Sequence, residues 1–147
     1  MNNTNKTKLI KQLANEFSSE LLSIPVTVLP NEDIVYNDYL IKNSQHGFWE
    51  LYNISNSFFI AKFYLKSCAL IAAKFYQEHH FMTYREVKWL DREYNKNKND
   101  SVMFKHCLKT TNDFDQKVIF LNRLECSEEQ ADLYKVAISR LFKRTFV

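Results

Sequence analysis

Apolar residues fall into three rhythms along this chain. Over residues 6–22, Leu9, Leu13, Phe17 and Leu21 recur every four positions, with Ile10 and Ala14 beside them. That spacing puts one apolar stripe on a helix, and Pro25 ends it. The next residues, Ile24 to Pro30, read as an extended lead-in between two prolines.

From Asp33 to Phe63 the period drops to two. Ile34-Val35-Tyr36 and Tyr39-Leu40-Ile41 flank the turn-prone pair Asn37-Asp38. Ser44–Gly47 and Ser55–Ser57 then separate two further strand-like runs, Phe48–Ile54 and Phe58–Phe63. The pattern predicts an antiparallel meander of three or four strands, with Trp49, Leu51, Phe59 and Ala61 on its buried face. Ser67 offers an N-cap to a helix over 67–79, whose apolar face carries Cys68, Ile71, Ala72 and Phe75. So short a meander is marginal alone. The helix laid across it gives a small α+β unit.

The third rhythm is a heptad. Thr83-x-x-Glu86 fits a capping box. Val87, Leu90, Tyr94, Asn97, Ser101, Phe104, Leu108 and Thr111 then follow at alternating spacings of three and four. So do Phe120, Leu124, Ser127, Ala131, Tyr134, Ile138, Leu141 and Thr145. Such spacing marks packed helices. It holds phase through the polar tract Asn95–Asp100, where Asn and Asp weaken a helix. A continuous helix over 83–110, about 42 Å long, is expected rather than a break.

Folded back near Asn112, the two helices form an antiparallel hairpin. Its seam is Leu90, Tyr94, Asn97, Ala131, Tyr134 and Ile138. Val87 faces Ile138, Leu90 faces Tyr134, Tyr94 faces Ala131, and Asn97 faces Ser127 or Glu128. The predicted fold is thus a β-meander packed by a helix and followed by a long helical hairpin. The divisions are 1–30, 31–82 and 83–147. Trp89, Met103 and Phe114, with Val102, Val118 and Ile119, lie off the seam and call for a cover. The α+β unit, the 6–22 helix and a second copy of the chain are the candidates.

Composition narrows the chemistry. Hydrophobic residues make up 46% of the 147, enough for a core. Gly47 is the only glycine, so glycine-dependent phosphate loops, dinucleotide fingerprints and nucleophile elbows cannot be built. Three cysteines, none in a CxxC, suit free thiols in a reducing compartment. The His and Cys spacings do not match structural zinc, and no metal or cofactor is expected. No small-molecule substrate is indicated. No run reaches a membrane span, and the polar start lacks a signal peptide's apolar block. A cytoplasmic protein is expected.

Charge is uneven. Residues 1–82 carry seven Lys and seven acids; residues 83–147 carry 13 Lys and Arg against 10 acids. In the hairpin, Arg85, Lys88 and Arg92 come near Arg140, Lys143 and Arg144. They form a basic pole with Tyr84 and Trp89 among them, a candidate for phosphate backbones. Acidic residues in the same turns, Glu86, Asp91 and Glu93, dilute it.

The Tyr36-x-x-Tyr39 turn, the Gly47-x-Trp49 strand and the small-residue helix after Phe63 resemble segments in small tailed-bacteriophage proteins of uncharacterised role. The resemblance covers residues 33–78, about a third of the chain. It implies a phage context and carries no functional residue across. The skew toward Lys, Asn, Ile, Tyr and Phe agrees with that context. The expected function is non-enzymatic: structure, assembly or interaction through the hairpin, with itself or another protein as partner. Nucleic-acid binding at the basic pole is the second expectation.

Overall fold

The computed structural model describes residues 26–146. The stripe at 6–22 lies outside them. The described chain opens with five strands: β1 (Thr27–Val28), β2 (Ile34–Tyr36), β3 (Tyr39–Asn43), β4 (Trp49–Asn53) and β5 (Phe58–Phe63). Three helices follow: α1 (Lys66–Gln77), α2 (Phe81–Thr110) and α3 (Phe114–Phe146).

The strands form one antiparallel meander in the order β1-β2-β3-β4-β5. The extended lead-in supplies β1, which pairs Val28 with Ile34. Asn37 carries the tight β2–β3 turn at φ 52°, a conformation Asn tolerates better than most residues. Gly47, at φ 84°, does the same between β3 and β4. Asn53 and Asn56 accept from the N–H groups of Ser55 and Phe58, closing the β4–β5 turn.

Ile34, Ile41, Leu51, Ala61 and Phe63 form the inner sheet face. Phe59 does not join them. Leu51 pairs with Ala61 but Tyr52 pairs with Phe59, so Ile60 is an extra residue in β5. Such a bulge turns the following alternation over. Phe58 and Phe59 are exposed as a result, and the expected placement of Phe59 in the core is corrected.

Helix α1 lies between the sheet and the base of the hairpin. Cys68 through Ala73 are all fully buried, as a helix covered on both sides must be. Three alanines let both layers approach. On the far side of α1 the core continues into Val87, Leu90, Ile138, Leu141 and Phe142. Lys74 extends to the last turn of α3, where its Nζ donates to the Thr145 carbonyl at 2.6 Å.

Ser67 is not the cap of α1. The helix starts one residue earlier, its N-cap position is Leu65, and no side chain bonds there. The Ser67 hydroxyl is fully buried and has no hydrogen-bond partner. An unpaired buried hydroxyl is a net cost. Ser67→Ala is therefore expected to stabilise the protein by about 1 kcal/mol, read as a higher urea midpoint with an unchanged slope.

At its other end α1 stops in a Schellman pattern. The N–H of His80 bonds to the Phe75 carbonyl and that of His79 to Tyr76. His79 takes φ 59°, where glycine would be usual. Helix α2 then begins at Phe81, two residues before the expected capping box, with no side-chain cap. Only three residues join α2 to α3. Asp113 caps α3 by accepting from the N–H groups of Asp115 and Gln116 at 2.9 and 3.2 Å.

Helix α2 runs unbroken through Asn95–Asp100. At 30 and 33 residues, the two hairpin helices are about 45 and 50 Å long.

Candidate functional site

The hairpin has a base fused to the head, which is the sheet with α1, and an arm beyond it. At the base, Leu90, Ala131 and Ile138 are buried, and Tyr94, Asn97 and Tyr134 are half-buried. The Tyr134 ring meets Trp89 edge-on at 5.5 Å. Farther out, Phe104 and Phe120 lie 6.4 Å apart.

The polar layer differs from the expected one. Asn97 does not bond across the seam; its Nδ2 donates to the Glu93 carbonyl one turn back in the same helix. The crossing bond runs between the hydroxyls of Ser101 and Ser127, at 2.9 Å and buried. Ser101 also donates to the Asn97 carbonyl, or Ser127 to that of Leu124, at 2.9 and 3.0 Å. Small hydroxyls fit where an amide would hold the helices apart.

Sequence reading missed Asp91. It is almost fully buried between the head and the hairpin. Its Oδ2 accepts from the Tyr64 N–H at 2.8 Å and its Oδ1 from the Leu65 N–H at 2.9 Å. The first turn of α1 leaves its N–H groups without helical partners, and here a carboxylate of another helix meets the chain entering that turn. Burial pushes the Asp91 carboxyl up to about 6, although the two N–H groups, Cys68 and Lys88 favour the charged form.

Five of the six basic candidates line two grooves that share Glu86, and the sixth lies against the head. Lys88 sits over the Phe63 ring at 6.0 Å, on the head side. Arg140, Lys143 and Arg144 line one open groove of about 530 Å³ with Glu86, Leu90, Ala137 and Leu141. Arg85 and Arg92 line another with Met82, Glu86 and Trp89. Glu86 belongs to both. Lys88 lines neither groove.

Large apolar side chains remain uncovered along the hairpin. Trp89, Met103 and Phe114 are exposed, as are Val102, Val118, Ile119, Leu121, Leu133 and Val136. Phe114 is 76% and Val102 67% exposed. Two sides can be told apart by spacing. Tyr84, Lys88 and Asp91 face the head, and Lys98, Val102 and Lys105 continue their stripe at helical intervals. Phe114, Leu121 and Glu128 are seven apart on α3 and lie on the same side. There Lys105 pairs with Glu128 at 3.5 Å. A second heptad column beside the seam was the sequence signal for Leu121.

Among the described residues, no three His, Cys, Asp or Glu side chains are grouped to hold a metal ion. Cys68 is buried, Cys107 half-buried and Cys126 exposed, and no disulfide joins them. No helix of the described residues is long and apolar enough to cross a membrane. No family model matches the chain, and comparison with curated proteins and with solved structures gives no match either.

Proposed function

We propose that the protein is a non-enzymatic assembly module that pairs with a second copy through the outer half of its hairpin. The observation that carries this is the exposure of Val102, Phe114 and Leu121, which helical spacing puts on the head side of the arm. Isolated exposed apolar residues are ordinary, whereas a contiguous set bordered by charge marks an interface.

An apolar patch can meet its own copy across a two-fold axis. The groove beside the patch has Lys98 and Lys105 on α2 and Glu128 and Asp132 on α3. There Lys105 pairs with Glu128 within one chain, which leaves the apolar side chains to meet across the two-fold axis. Antiparallel overlap of the arms keeps the two heads at opposite ends and free of collision. The likeness of residues 33–78 to small phage proteins supports a phage setting, inside the host cell or in the particle.

The test is the double change Phe114→Ser with Leu121→Ser, followed by light scattering over a range of concentrations. The wild type is expected to be a dimer at micromolar concentration and the variant a monomer with the same far-UV circular dichroism. A wild type that stays monomeric refutes the reading.

A further inference from the structure

Pairing of the arms leaves the charge at the base of the hairpin unused. On α2, Arg85, Trp89 and Arg92 share one face at intervals of four and three. They line a groove of about 460 Å³ with Glu86. On α3, Arg140, Lys143 and Arg144 fall within little more than one turn and line a groove of about 530 Å³. Leu90, Ala137 and Leu141 lie between them and Glu86, which belongs to both grooves.

In the sequence, three acids dilute these cations: Glu86, Asp91 and Glu93. The fold withdraws two of them. Asp91 is turned into the junction with the head, where the N–H groups of Tyr64 and Leu65 occupy its carboxylate. Glu93 lines neither groove. Five exposed cations therefore stand around one acid. Among the described residues, none of the five makes an ion pair.

Unneutralised charge of one sign over two adjoining grooves attracts an anion. Arg85 and Arg92 alone are about 10 Å apart along the axis. That span exceeds one phosphate or carboxylate and suits a chain of repeated charges. Trp89 narrows the choice. It lies between Arg85 and Arg92 and is 46% exposed, and Tyr134 meets its ring edge-on at 5.5 Å. An exposed ring among cations matches a single strand, with phosphates on Arg and Lys and a base on the ring. In a duplex the bases are already stacked on one another.

We infer that the two grooves bind single-stranded nucleic acid, with its phosphates on the five cations and a base stacked on Trp89. The site is independent of the pairing of arms, whose residues lie in the outer half of the hairpin.

Fluorescence anisotropy of a labelled oligothymidylate of about 20 nucleotides, titrated with the full chain, reads the binding. Five phosphate contacts give a slope of about −3.5 in log affinity against log salt, so binding should weaken about 100-fold between roughly 50 and 200 mM KCl. Arg85→Gln with Arg140→Gln should weaken it about tenfold or more at the lower salt and make the slope shallower by about 1.4. Lys109→Gln with Lys117→Gln removes the same charge near the far end of the hairpin and should change the affinity by less than about twofold. All four side chains are exposed, so both variants should keep the wild-type circular dichroism. Trp49 and Trp89 are the two tryptophans; in a chain carrying Trp49→Phe, the oligonucleotide should quench the emission of Trp89. No binding at the lower salt, equal losses in the two double variants, or Trp89 emission unchanged at saturation overturns the inference. So does a duplex of the same length that binds as tightly.

Discussion

Asp91→Ala is expected to destabilise the protein by about 2–5 kcal/mol, since it leaves two buried N–H donors without an acceptor. The donors belong to Tyr64 and Leu65, where the chain turns from β5 into α1. Losing them loosens the start of the helix that separates the sheet from the hairpin. Asp91→Asn should cost less. Its amide oxygen can serve one N–H, but its NH2 faces the other.

Acidity separates the carboxyl's two effects. The folded-state value is raised to about 6 from 3.8, so the sign runs opposite to the usual carboxylate. The contribution is complete below the unfolded value and is lost as pH rises through 6. About two units correspond to roughly 3 kcal/mol. Denaturation of the wild type and Asp91→Asn at pH 7 and pH 4.5 should show the gap in stability widening at the lower pH. A gap that narrows would mean that Asp91 is held as a favoured anion.

Leu90→Ala should cost about 2–5 kcal/mol, the range for emptying a buried leucine site. Leu90 is 6% exposed and belongs to the core cluster that runs from the sheet through α1 into the hairpin. Because that core is shared, the loss should appear as one cooperative transition, with head and hairpin melting together. Leu121→Ala makes the contrast. With that side chain 46% exposed, the stability of a single chain should change by no more than about 0.5 kcal/mol. Urea denaturation followed by circular dichroism reads both, at a protein concentration low enough to keep the chain single.

The alternation of three and four in residues 87–145 was legible because every seam position serves one purpose, burial between two helices. Ser101 and Ser127 kept the phase although both are polar, and they meet each other across the seam. The meander was legible from its turns, whose Asn and Gly residues announce the conformation they adopt.

What the sequence hid are choices made by tertiary contact. Asp91 stands between Lys88 and Arg92 on a charged helix and reads as solvated; only the docked head makes it a buried acceptor. The extra residue at Ile60 has no local mark, yet it decides that Phe59 faces out. Ser67 has the residue type of a cap, but α1 begins two residues too early for it to act as one. The basic residues of α2 and α3 line two grooves that share Glu86, an arrangement set by rotation around each helix. Rotation is harder to fix than position along an axis, because a helix presents a new residue every 100°.

The proposed pairing of arms is tested most directly by small-angle X-ray scattering of the full chain at micromolar concentration. The account predicts twice the 17.6 kDa mass of one chain, and an elongated particle with a maximum dimension well beyond the roughly 50 Å of α3 alone. A particle of 17.6 kDa at every concentration would contradict it.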